Sequence, residues 1–71
     1  MKKKITILKE VRKRQGLTQT DIAKKLGISR MSVTYYENGD MSPLMKNFRK
    51  FIEAYGLTME ELMEYLKQIE D

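Results

Sequence analysis

The chain has 71 residues, with 14 Lys or Arg against 10 Asp or Glu, a formal net charge of +4, and neither cysteine nor histidine. That length holds one domain at most, with a core whose net contribution rarely exceeds about 3–5 kcal/mol. Without cysteine there is no disulfide or thiolate metal site, and without histidine the commonest general base, the commonest metal ligand and every Ser-His or Cys-His nucleophile pair are excluded.

Five helical segments are predicted in chain order, and no strand pattern competes with them, so the fold class is all-α. The first runs from about Ile5 to Gln15, with Ile5, Leu8, Val11 and then Arg12 at helical spacing and Gly16 as its stop. The second opens at Thr18, where Thr-x-x-Asp to Asp21 resembles a capping box. It buries Ile22, Ala23 and Leu26, and it ends at Gly27, which can adopt the left-handed cap. Ser29 caps a third helix reaching about Asn38, with Val33 and Tyr36 inward, and "ENG" closes it. In "SPLM", Ser42 is the expected N-cap of a fourth helix and Pro43 its first residue, with Leu44, Phe48, Phe51, Ile52 and Tyr55 as the apolar face and Gly56 as the end. Thr58 and Glu61 form a full capping box for a fifth helix carrying Met59, Leu62, Met63, Leu66 and Ile69, with Tyr65 off the main stripe.

Every connection is a few residues long, so residues 1–71 read as a single domain, complete as given, with loose ends at Met1 to Lys4 and the last two or three residues. No apolar run is long enough to span a membrane, and Lys9 and Glu10 cut short the signal-like start "MKKKITIL". A cytoplasmic protein is expected. Residues 1–36 carry ten basic against two acidic side chains, and residues 37–71 four basic against eight acidic. That polarity suits a polyanion partner on one side and another task on the other, or simply unrelated solvated faces. Glu60, Glu61 and Glu64 cluster on an exposed helix without a nucleophile or metal-ligand partner, so neither an enzyme nor a metal or cofactor is expected.

Helices two and three, joined by a four-residue turn around Gly27, have the spacing of a helix-turn-helix, whose second helix lies in the DNA major groove. Ala23 is small where the helices approach, Gly27 turns the chain, and Ile28 and Val33 pin the second helix. Plain helical bundles also contain such pairs, so spacing alone leaves both readings open. With Val33 and Tyr36 inward, Arg30, Met31, Thr34 and Tyr35 face outward and Ser32 lies near the edge.

From about Ile5 to Leu66 the chain resembles the phage-repressor and Cro family of helix-turn-helix regulators, also called XRE-like. The carrying motifs are "LKEVRKRQGLTQTDIAKKLGIS", "VTYYENG" and "SPLMKNFRKFIEAYGLTMEEL". The resemblance implies a compact five-helix, lambda-repressor-like DNA-binding domain that acts as a transcriptional repressor. It implies an ion pair between Arg12 and Glu37, and base contacts from Arg30, Met31 and Tyr35, with a further one from Ser32 or Thr34. Arg30 is suited either to guanine O6 and N7 or to a phosphate clamp. Met31 and Tyr35 depart from the polar residues usual there and suit thymine methyls, although Met31 also reads as an exposed gap-filler. Phosphate contacts are implied at Gln19 and Asn38, with a plain turn role for Asn38 as the alternative, while Thr18 primarily caps and adds its backbone N–H to the phosphate set. Asp40 and Met41 stand where relatives are often basic, which leaves either Lys46 as a substitute or a weak edge to the footprint. Lys2 to Lys4 read as a basic arm reaching the DNA backbone or as a solvated tail.

Relatives commonly bind palindromic operators as homodimers, and Met59, Met63, Leu66 and Ile69 exceed what a small core needs, so a two-fold contact is expected through helix five or through the turn between helices four and five. The alternative is a chain that is monomeric without DNA. No small-molecule ligand is expected. A second functional class remains beside the DNA-binding one: a protein-interaction module such as an antitoxin, gripping its partner with helix five or with Met31 and Tyr35.

Overall fold

Local end signals decide most of the secondary structure. The computed structural model describes residues 6–70, the side chain of Glu70 excepted; Ile5, the basic arm at Lys2 to Lys4 and the final Asp71 lie outside the described residues. Within them are five α-helices: α1 Ile7–Arg14, α2 Gln19–Leu26, α3 Arg30–Glu37, α4 Phe48–Tyr55 and α5 Met59–Glu70. Both halves of the Thr18–Asp21 capping box form, with Thr18 N donating to Asp21 Oδ2 at 2.8 Å and Asp21 N to Thr18 Oγ1 at 3.1 Å. Ser29 Oγ accepts from Ser32 N at 3.2 Å to start α3. The Thr58–Glu61 box likewise closes, at 2.9 and 3.1 Å. Gly27, at φ +72°, ends α2 in the left-handed region and turns the chain into α3.

The helices pack around one core of Leu8, Val11, Ile22, Ala23, Val33, Phe51, Tyr55, Leu57 and Tyr65. α2 lies against α3 and α4, and α1 against α3, α4 and α5. Ala23 is buried next to the turn, as the close approach of α2 and α3 requires. Tyr36 extends the core by meeting Phe51 edge-on at 4.8 Å. The radius of gyration, 11.0 Å, is that of a close-packed chain of this size, about 11 Å.

Two expectations fail. Pro43 does not begin a helix. It is buried in an extended segment, Leu44 follows with φ −66° and ψ 153°, and a 3-10 turn, Met45–Asn47, leads into α4 at Phe48. Ser42 therefore caps nothing helical, and Leu44, expected on the buried face, is 63% exposed. In α5 the inward stripe is Leu62, Tyr65 and Ile69, and Tyr65, expected off the stripe, is wholly buried. Met59 and Met63 face outward at 71% and 59% exposure.

Candidate nucleic-acid interface

The outward face of α3 is supported by a buried ion pair beneath it. Arg12 forks onto Glu37, Nε to Oε2 at 2.7 Å and Nη2 to Oε1 at 3.1 Å, while its Nη1 donates to the Leu17 carbonyl at 2.9 Å. Glu37 is 1% exposed and accepts two more hydrogen bonds, from Tyr55 Oη at 2.9 Å and Gln19 Nε2 at 3.1 Å. Burial, and then the adjacent Glu37 charge, push the Tyr55 phenol well above its usual range, so it remains a donor. The Glu37 carbonyl, at the last turn of α3, accepts from both the backbone N–H and the hydroxyl of Thr6, each at 2.9 Å. The end of α3 is thus tied to α1, α2 and α4 through one residue.

Gln19 carries the chain of hydrogen bonds outward. Its Oε1 accepts from Arg30 Nη1 at 3.2 Å and from Thr34 Oγ1 at 3.0 Å. Gln19, Arg30, Thr34, Glu37 and Arg12 therefore form one connected group. Arg30, Met31 and Tyr35 are exposed on α3, the last two at 57% and 42%. Ser32 is half-buried, and its hydroxyl accepts from Ser29 Oγ at 3.1 Å. Asn38 ends α3 with φ −87°, so only Gly39, at φ +81°, uses the left-handed region in "ENG". Lys46 is exposed on the 3-10 turn, in a separate element.

Thr18 caps α2, its primary expected role. Its backbone N–H and its hydroxyl are both committed to the capping box, which leaves the N–H groups of Gln19 and Thr20 as the first-turn donors of α2 without an intrahelical acceptor. On α5, Ile69 packs against the protein's own core. Met59, Met63 and half-buried Leu66, spaced by four and three residues, form a separate ridge.

Sequence reasoning missed three contributors: Tyr55 as a donor to Glu37, Gln19 as a bridge, and Thr6 as the cap of the α3 carbonyl. Only Tyr55 left a signal, since a phenol on an inward helical face needs a hydrogen-bond partner. Among the described residues no group of three or more His, Cys, Asp or Glu could hold a metal ion, and no helix is long and apolar enough to cross a membrane.

Comparison with known proteins agrees with this geometry. The family pattern described as Helix-turn-helix matches residues 8–62. The chain is similar to an uncharacterized HTH-type transcriptional regulator of Methanocaldococcus jannaschii, 38% identical over 82% of this chain and 88% of the relative. It is also similar to the HTH-type transcriptional regulator PuuR of Escherichia coli, 32% identical over 76% of this chain and 29% of PuuR. The Antitoxin HipB of Escherichia coli is 33% identical over 73% of this chain and 59% of HipB. No solved structure matches the chain significantly. With a short two-helix unit, an exposed second helix and a pattern match across most of its length, the chain belongs to the XRE-type helix-turn-helix family of DNA-binding transcriptional regulators.

Proposed function

We propose that the chain is a sequence-specific repressor that binds a palindromic double-stranded operator and reads its major groove with α3. The observation that carries this reading is the outward set of Arg30, Met31, Ser32, Thr34 and Tyr35, on a helix whose opposite side is anchored by buried Val33 and Glu37. Arg30 pairs with a base edge, Met31 and Tyr35 offer apolar surface to thymine methyls, and Ser32 or Thr34 adds a hydroxyl. The free first-turn N–H groups of α2, with the second amide proton of Gln19, meet a phosphate beside the groove, where the helix dipole favours it. Asn38 and Lys46 hold the backbone on the far side. Repression requires only that the operator be occupied, in the cytoplasm where the duplex lies.

Two copies pair through Met59, Met63 and Leu66 in this reading, setting their α3 helices about 34–36 Å apart on successive major grooves. Ile69 is left out of that contact because it packs against its own core. The same ridge, with the similarity to an antitoxin, supports a second reading as a partner-binding regulator. Salt separates the two. Operator affinity is expected to fall by about 10³-fold or more between about 50 and 200 mM salt if each dimer meets six to ten phosphates, whereas an apolar protein interface barely responds. DNA affinity indifferent to salt would remove the DNA-reading proposal. Sedimentation showing monomer alone, with and without operator, would remove the dimer.

A further inference from the structure

We infer that Met31 is a redox modification site: a peroxide converts its thioether to the sulfoxide, which impairs base reading by α3 while the fold stays intact. The loss of reading rests on the assignment of α3 as the base-contacting helix; the modification itself does not.

The placement of the methionines carries the inference. Six of the 71 residues are methionine, and the chain has neither cysteine nor tryptophan, so thioethers are its most readily oxidised side chains. None of the five described methionines, Met31, Met41, Met45, Met59 and Met63, belongs to the core, which is built from Leu, Ile, Val, Phe, Tyr and Ala. Nor is any of them among the half-buried side chains that pack against that core. Met31, Met45, Met59 and Met63 are exposed, so an oxidant reaches these sulfurs without any opening of the fold. A sulfoxide inside a core disrupts packing; here the added polarity falls outside it. Met31 lies in the first turn of α3, one helical turn before Tyr35. The cap that starts α3 is made by Ser29 and Ser32, so it survives a change at Met31.

The step balances with hydrogen peroxide as the oxidant. A sulfur lone pair attacks one peroxide oxygen and the O–O bond breaks. One oxygen stays on sulfur, the other leaves as water after proton transfer, and the sulfur gives up the two electrons that the peroxide gains. The product exchanges an apolar, polarisable side chain for a polar one whose oxygen only accepts hydrogen bonds. A thymine methyl offers that oxygen no donor, and guanine O6 and N7 set acceptor against acceptor. The apolar contact that Met31 brings to the groove is therefore lost, and its replacement must be desolvated without a partner. Sulfoxide reductases return the thioether, so the change is reversible.

The test compares affinity for a selected duplex before and after hydrogen peroxide treatment, with each methionine followed by peptide mass mapping, for the parent and for Met31→Leu. Met59 and Met63 are open to the oxidant in both proteins, so the difference between the two isolates Met31. The treated parent should carry a sulfoxide at Met31, keep its helical circular-dichroism signal, and lose about tenfold more affinity than treated Met31→Leu does. Methionine sulfoxide reductase with a thiol reductant should restore it. Equal losses in the two proteins, a parent that weakens while Met31 stays unoxidised, full affinity with Met31 converted, loss of the helical signal, or no recovery on reduction each overturns the inference. Untreated variants keep the reading of α3 separable. If Arg30→Ala and Tyr35→Ala both retain the parent's preference at every base pair, the reading of α3 itself fails. Altered preference in those variants, beside affinity unmoved by oxidation of Met31, overturns the modification site alone.

Discussion

Glutamine at position 37 keeps the shape of Glu37 and removes its charge. The Arg12 guanidinium would then remain almost enclosed, its side chain 9% exposed, with no counter-charge. One of the two oxygens becomes an NH2 group facing Arg12, Gln19 or Tyr55, all of which donate to Glu37. Breaking a buried pair in this way costs about 3–5 kcal/mol, which is comparable to the whole net stability of about 3–5 kcal/mol available to so small a core. Glu37→Gln should therefore lower the melting temperature by at least about 12 °C, taking about 4 °C per kcal/mol for a domain of this size, followed by circular dichroism at the helical band. Arg12→Met/Glu37→Leu should be less destabilised than Glu37→Gln, because no uncompensated charge remains. Arg14→Ala supplies a contrast, since its pair with Glu61 is reached by a side chain 59% exposed, and it should shift stability by less than about 1 kcal/mol. Overlaid melting curves for Glu37→Gln and the parent would refute the view that this pair holds the end of α3.

The two buried tyrosines should respond oppositely. Tyr55→Phe removes a donor from a charged acceptor and is expected to destabilise by about 1.5–3 kcal/mol, whereas Tyr65→Phe should be neutral or stabilising, since the Tyr65 hydroxyl is buried with no hydrogen-bond partner among the described residues; equal losses in urea unfolding would contradict this. Gly27→Ala should cost about 1–2 kcal/mol in the same assay, from the positive φ alone, because a Cβ there meets nothing within 4 Å; an unchanged midpoint would be the contrary result. The Thr18 hydrogen bonds hold the Asp21 carboxyl below its usual 3.8, and the Thr58 backbone bond chiefly holds Glu61 below 4.5. Both groups therefore stabilise the fold above those values, and the stability is lost as pH falls through the depressed ones. Glu61→Gln, which removes the titrating carboxyl that the Thr58 N–H binds, should flatten the acid limb of a stability–pH curve, and an unaltered limb would count against the capping account.

Much of the fold was legible because its signals are local. Capping boxes at Thr18 and Thr58, the Ser29 cap and the glycine at 27 each act within three or four residues of themselves, so chain order alone displays them. The phase of α5 was not legible. Met59, Leu62, Met63, Tyr65, Leu66 and Ile69 make two overlapping stripes, and only the shape of the core selects Leu62, Tyr65 and Ile69 as the buried one. The Pro43 start failed because a proline suits an extended segment as well as a first helical turn, and burial of its ring favoured the former here. The outward face of α3 was readable from Val33 and Tyr36 being inward. The roles of Gln19 and Tyr55 were not, because both reach Glu37 across 18 residues of sequence, a distance set by tertiary packing alone.

Dimethyl sulfate attacks guanine N7 in the major groove and adenine N3 in the minor groove, so its protection pattern on a selected duplex shows which groove the protein fills. The account predicts guanine N7 protected in both half-sites by the parent, exposed again in Arg30→Ala, with adenine N3 reactive throughout. Protection confined to adenine N3, or no protection on a duplex the protein retains, would contradict it.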